Sequence, residues 1–199
     1  MDKYTHALPE IIKHLPAPEP LDGYLDALYL LGQKRQIPNI SPANVVFLQN
    51  LLRERQPKNI LEVGCANGYS ALRFWQVAQA WQAKVTTMDI SKPSVEEAQH
   101  HFTVLNAPID LHFGNALEVF PLLPHASFDF VFIDAHKSGT LDFFVRARKL
   151  ATDDALIVID DVVKFKDKMQ RFYDYLEVNA IGYCIEQVDD DDGVMLIQL

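Results

Sequence analysis

Two apolar runs in this chain end in carboxylates. Asp134 follows the run over 128–133, and Asp160 with Asp161 follows the run over 154–159. If those runs are neighbouring parallel strands, the three side chains converge at one end of a sheet. Unrelieved like charges at that range raise pKa values and cost stability. A hard divalent cation would relieve them, and an all-oxygen set suits Mg2+, Mn2+ or Ca2+ rather than Zn2+. The alternative is that one aspartate caps the following helix while another faces water. Lys137, three residues past Asp134, can reach the same cleft. A desolvated lysine beside a metal can have its pKa lowered enough to serve as a base. His136 between them reads as a supporting or surface group, and the other six histidines show no ligand spacing.

A second group of residues points to a ligand rather than to a metal. Ile60, Leu61 and Val63 read as a short buried strand that Gly64 ends. From Gly68 onward Ala71, Leu72, Trp75, Val77, Ala78 and Trp81 recur at helical spacing. A strand running through a glycine turn into a helix leaves free backbone N–H groups where a carboxylate or phosphate is welcome. Gly64 and Gly68 lack a Cβ, so the main chain is expected to approach a ligand closely. The spacing matches neither G-x-G-x-x-G nor the phosphate loop with its Lys-Ser/Thr, which leaves other adenosine-bearing ligands open. Asp89 ends Val-Thr-Thr-Met-Asp about one β–α unit later. There it can accept from both hydroxyls of a ribose or act as a plain helix cap before Ser91 and Pro93. Cys65, inside the turn, reads as a small packing residue rather than a nucleophile.

The elements that must position these groups alternate. Strands are expected at 59–63, 84–89, 109–113, 128–133 and 154–159, with helices at 68–82, 92–105, 115–122, 139–150 and 163–179. Five such units imply a mostly parallel α/β sheet with right-handed crossovers and helices on both faces. Ligands in such sheets bind beyond the carboxyl ends of the strands, which is where Glu62, Gly64, Asp89, Asn115, Asp134, Asp160 and Asp161 fall. The stretches 181–188 and 194–199 flank the acidic turn 189–193 and read as an antiparallel hairpin at the sheet edge. Upstream, 1–20 reads as an irregular or short-helical segment, and 21–35 carries a leucine stripe at helical spacing. Ser41-Pro42 gives an N-cap with proline at the first helical position, opening a helix that Pro57 stops. One domain over 1–199 is expected, with 1–56 as a helical cover on a core over 57–199.

A net charge of −9 repels a phosphate backbone unless a local basic patch intervenes. Residues 146–149 and 164–171 are basic but read as solvated helix faces. Two cysteines, with no C-x-x-C pair, indicate neither a disulfide framework nor a zinc cluster. The expected location is the cytoplasm, with no signal peptide and no run long enough to span a membrane.

Residues 60–72 (ILEVGCANGYSAL), 85–89 (VTTMD), 114–116 (GNA), 128–137 (FDFVFIDAHK) and Asp160-Asp161 together resemble the cation-dependent O-methyltransferases. That family includes the catechol and caffeoyl-CoA enzymes and a bacterial tRNA hydroxyuridine methyltransferase. The resemblance spans about residues 40–163. It implies a class I, Rossmann-like fold with a seven-stranded sheet and S-adenosylmethionine as cofactor. Glu62, Gly64, Cys65 and Gly68 would line its methionine and ribose side, and Ser70 would hold the methionine carboxylate. Asp89 would take the ribose hydroxyls, Asn115 and Ala116 would border the adenine, and Asp134 would face both cofactor and acceptor. Ser41 would belong to a segment that closes over the cofactor. Asp134, Asp160 and Asp161 would hold a divalent metal, with Lys137 and Asp134 as the catalytic pair and Lys137 as base. The implied acceptor is a small hydroxylated aromatic or vicinal diol, and the implied assembly is a homodimer. Alternatives are a hydroxylated tRNA base, or a non-catalytic cofactor-binding module with a decayed acceptor site. The chain departs from the family pattern in having Asp161 where asparagine is usual, Asn115 where aspartate is usual, and a short stretch after Asp161.

Overall fold

The computed structural model describes residues 13, 15–190 and 192–199. The expected irregular segment over 1–20 therefore falls largely outside the described residues, as does Asp191 of the acidic turn. Two helices come first, α1 (Leu21–Lys34) and α2 (Pro42–Arg55). Ser41 caps α2 as expected, its Oγ accepting from Asn44 N at 3.0 Å.

Alternation then sets the core: β1 (Asn59–Val63), α3 (Tyr69–Ala78), β2 (Lys84–Asp89), α4 (Lys92–Val104), β3 (Ile109–Phe113), α5 (Ala116–Val119), β4 (Phe128–Ile133), α6 (Thr140–Leu150), β5 (Ala151–Ile159), α7 (Gln170–Val178), β6 (Cys184–Gln187) and β7 (Gly193–Gln198). The seven strands lie in the order β3-β2-β1-β4-β5-β7-β6. The first five in that order are parallel, and β7 is antiparallel to both β5 and β6.

Strand alternation divides the core into two. Leu61, Val63, Val131, Ile133, Ile157 and Ile159 pack with residues of α5, α6 and α7. Ile60, Phe130, Phe132 and Val158 pack with residues of α1, α2, α3 and α4. Because β1 and β4 are apolar on both faces, they sit centrally. The order reverses between them, so the crevice beyond their carboxyl ends is the switch point of the sheet. Their ends are joined: Asp134 N donates to Val63 O at 2.9 Å, Asp160 N to Ile133 O at 3.1 Å, and Gly64 N to Met88 O at 2.9 Å.

Several boundaries differ from expectation, with α3 ending at Ala78 and α5 at Val119 before 3-10 turns. β5 starts at Ala151 rather than 154, because Phe128 pairs Ala151 before a register irregularity carries the ladder to Phe130 and Leu156. No helix forms at 163–165; Asp192 Oδ1 accepts from Val163 N (3.1 Å) and Lys164 N (3.2 Å), and a 3-10 turn at Lys166–Met169 precedes α7. The hairpin strand expected over 181–188 is ordered as β6 only over Cys184–Gln187.

Candidate active site

One cavity of about 640 Å3 opens at the switch point. Of the residues singled out in the sequence, Gly64, Cys65, Ser70, Asp89, Asn115, Ala116, Asp134, Lys137 and Asp161 line it. Four others do not, among them Asp160, which lines a neighbouring recess. Glu62 is wholly buried beneath it. Gly68 caps α3 and packs on α4. Ser41 faces a neighbouring recess, where its hydroxyl donates to Asp189.

The glycine turn is fixed by close packing while Gly64 also lies in the cavity wall. A Cβ on Gly64 would lie 2.1 Å from the Asp134 carbonyl oxygen, and one on Gly68 would lie 2.7 Å from the Phe102 ring. Both have positive φ, 97° and 84°, a region natural to glycine. Gly64 thus lets the ends of β1 and β4 touch.

Asp89 fastens this turn to the next helix. Its Oδ2 accepts from Ala66 N at 2.9 Å and its Oδ1 from Ser91 N at 2.8 Å, while Ser91 itself caps α4. The carboxylate therefore takes a local bracing role in the wall of the cavity. Asn115 caps α5, its Oδ1 accepting from Leu117 N at 3.0 Å. Burial raises the Cys65 thiol well above its ordinary value, so it is a neutral packing group.

Glu62 has an unusual position. Its Oε2 accepts from Thr87 Oγ1, while Oε1 has no partner. Burial pushes its pKa up to about 8; the nearby Ser70 and Thr87 hydroxyls lower it in part, and Asp134 and Asp89 raise it further. At neutral pH it holds its proton.

On the other side of the cavity the three expected aspartates gather around Lys137. Its Nζ lies 2.8 Å from Asp134 Oδ1 and 3.0 Å from Asp161 Oδ2. Asp160 is buried and turned to Asn44, whose Nδ2 donates to Oδ1 at 2.9 Å. Burial, then Asp134 and Asp161, raise the Asp160 pKa well above the carboxylate range. For Lys137, burial alone would lower the pKa, but Asp134 and Asp161 outweigh it and the net shift is upward. As placed between two carboxylates, Lys137 is held in its charged form.

The carboxylates have the donor chemistry of a hard-cation site, and their mutual repulsion is of the kind a cation relieves. In the described geometry the lysine charge stands in that place. Among the described residues no three acidic, histidine or cysteine side chains are set as metal ligands. Asp161 has φ 58°, a left-handed conformation that aspartate and asparagine tolerate better than most residues.

Several wall residues had no signal in the sequence. Pro38, Asn39 and Ile40 come from the α1–α2 loop, and Phe143, Phe165 and Lys168 come from beyond β4 and β5. His136 also lines the cavity, edge-on to Phe143 with ring centroids 5.0 Å apart. Only the tertiary fold brings them together.

A family model described as O-methyltransferase matches residues 24–180. The O-methyltransferase imqG of Aspergillus flavus is 27% identical over 100% of this chain and 83% of its own length. A catechol O-methyltransferase of Niastella koreensis is 31% identical over 63% of this chain, and the match spans 59% of that relative. In structure, the O-methyltransferase of Bacillus cereus superposes with a TM-score of 0.77 at 24% identity, covering 88% of this chain and 90% of the other.

Proposed function

The chain belongs to the O-methyltransferase family, and from that premise we propose that it methylates a hydroxyl of a small hydroxylated acceptor, a catechol or vicinal diol, from S-adenosylmethionine. The observation that carries this reading is the shared cavity. The glycine turn, Asp89 and Asn115 form one part of its wall, and Asp134, Lys137 and Asp161 form another. Its volume of about 640 Å3 falls within the range of about 300–1,000 Å3 usual for small-molecule sites.

S-adenosylmethionine, when bound, supplies a methyl group activated by a sulfonium. Ser70, in the first turn of α3, is suited to the methionine carboxylate. Asp89, Asn115 and Ala116 are suited to the ribose and adenine, and protonated Glu62 forms the floor. At the other end, Lys137 as an ammonium holds the Asp134 and Asp161 carboxylates in place. Asp134, hydrogen-bonded to it, faces the cavity as a proton acceptor. Methyl transfer makes the acceptor O–H strongly acidic, so a carboxylate suffices to remove its proton. Positioning two reactants in one cavity supplies much of the acceleration.

Asp134, Asp160 and Asp161 are the residues that would hold Mg2+, Mn2+ or Ca2+, and such an ion would lower the acceptor hydroxyl pKa. Lys137, once relieved of its paired carboxylates, would fall in pKa through burial alone and could then take the proton. A single domain with a helical cover, a cytoplasmic location and a homodimer belong to the same reading. Among the described residues no helix is long and apolar enough to cross a membrane.

The test is transfer of labelled methyl to a catechol panel, with added Mg2+ and with EDTA. Turnover should appear with Mg2+ and fall at least tenfold in EDTA; undiminished turnover in EDTA refutes the metal assignment. Asp89→Ala should weaken S-adenosylhomocysteine binding at least tenfold by calorimetry, since it loses the ribose partner and frees the turn. Unchanged affinity would remove that residue from the site.

A further inference from the structure

Residues 36–40 form a short strap between α1 and α2. Pro38, Asn39 and Ile40 belong to the wall of the main cavity, as do Ser91, which caps α4, and Ser94 in its first turn. The strap folds on itself, with Ile37 N donating to Gly32 O and Asn39 N to Ile37 O, both at 2.9 Å.

Its own polar contacts do not hold it down. Among the described residues, Asn39 Nδ2 and both polar side-chain atoms of Asn67, a wholly buried residue of the glycine turn, have no hydrogen-bond partner. The two amides meet at the end of α1, where a Cβ on Gly32 would lie 2.3 Å from Asn39 Nδ2 and 3.6 Å from Asn67 Nδ2. Unpaired buried amides are costly, and water would pair them if the strap lifted. A buried ion pair opposes that movement. Arg35, at the foot of the strap, donates two hydrogen bonds to Glu97 of α4, at 2.6 and 2.9 Å, and the two side chains are only 7% and 2% exposed. Burial would raise the Glu97 pKa, but His101 and Arg35 outweigh it and the net shift is downward, so the carboxylate keeps its charge. Separating such a pair is strongly destabilising. Glu97 follows Ser94 by three residues and so shares its face of α4, which joins strap and helix beside the cavity wall.

We propose that Arg35 and Glu97 are positioning residues for methyl transfer: their ion pair holds the strap against α4 and the glycine turn, and so keeps the cavity in the shape that S-adenosylmethionine requires. The inference rests on the methyl-transfer reading for the identity of the ligand. Neither residue lines the cavity, so both act through Asn39 and Ile40 rather than by contact.

The test compares three variants of the full chain by calorimetry with S-adenosylhomocysteine and by hydrogen exchange of the Ile37 and Asn39 amides without ligand. Arg35→Gln combined with Glu97→Gln removes both charges and leaves neither buried alone. It should weaken S-adenosylhomocysteine about five- to tenfold, as the fraction of molecules with the strap in place falls, and speed exchange at both amides. Tyr24→Phe is the control for stability alone. It cuts another tie between α1 and α4, the 2.7 Å hydrogen bond between the Tyr24 hydroxyl and His101 Nδ1. It should lower the melting temperature yet leave affinity and strap exchange within about twofold of wild type. Gly32→Ala displaces the Asn39 amide without touching a charge, should weaken binding about threefold, and decides the matter if the double variant does not fold. Unchanged affinity in the deciding variant, or a loss of affinity in Tyr24→Phe equal to that of the double variant, would overturn the proposal. The exchange measurement separates the two readings because it needs no ligand. Wild type that binds no S-adenosylhomocysteine, with strap exchange still faster in the double variant, would leave the strap pinned by the pair and sink methyl transfer. Wild-type binding that no variant alters would do the reverse.

Discussion

Glu62 shows how one buried group can set the pH response of the molecule. It is 0% exposed, has one oxygen without a partner, and has its pKa pushed up to about 8. A free glutamate titrates near about 4.3. Between those values the native state holds a proton that the unfolded chain has released, so the native state binds more protons and stability falls as pH rises. The contribution is complete below the unfolded value and is lost as pH climbs through the folded one. Glu62→Gln cannot ionise and should escape this loss. The melting temperature of the variant minus that of wild type should therefore rise steadily from pH 5 to pH 8.5. Each pH unit is worth at most about 1.4 kcal/mol, giving a few kcal/mol in all. Parallel melting curves would mean that the carboxyl is ionised in place. The side chain's direction was legible in the sequence, since period-two alternation puts Glu62 with Ile60, away from Leu61 and Val63. Its burial was not, because that depends on α3 closing over it.

At the scale of elements, the site depends on how closely β1 and β4 approach at their ends. Gly64 permits it, with φ 97° and a Cβ position 2.1 Å from the Asp134 carbonyl oxygen. That neighbour is backbone and cannot rotate aside, so Gly64→Ala must either strain the turn or part the two strands. Its cost should be several kcal/mol, read as a large fall in melting temperature together with loss of S-adenosylhomocysteine binding. Gly182→Ala is the control, because a Cβ there meets nothing within 4 Å and should change stability by less than about 0.5 kcal/mol. Similar melting points for the two variants would show that the turn has slack. The strands themselves were readable because apolar runs and alternation are local properties. The failure at 163–165 was not local: a carboxylate nearly thirty residues onward takes the N–H groups that a helix start would leave free. For the same reason Asp192 read only as part of an acidic turn, and Asn44 gave no signal. Strand adjacency brings the three aspartates to one end of the sheet, and Lys137, three residues past Asp134, reaches two of them there.

For the molecule as a whole, charge decides between classes of acceptor. The net charge is −9, and five aspartates line the recess adjoining the cavity. The basic residues nearest the mouth are few: Lys168 lines it and lies 4.9 Å from the Phe165 ring centre, while Lys166 lies 5.3 Å from that of Tyr173. A nucleic acid gains affinity as many cations along a continuous track displace its counterions, and Lys164, Lys166 and Lys168 beside an acidic recess do not amount to one. Its phosphates would also have to approach within about a Debye length of those aspartates, where the field repels them. Bulk tRNA should therefore show no saturable retention in filter binding even at low salt, under conditions in which a small catechol still binds. Saturable retention at micromolar protein, weakening steeply as salt is added, would instead make a hydroxylated base in RNA the acceptor. The lysines at 164, 166 and 168 would then be its phosphate contacts, and the acidic recess would have to lie off the path of the strand.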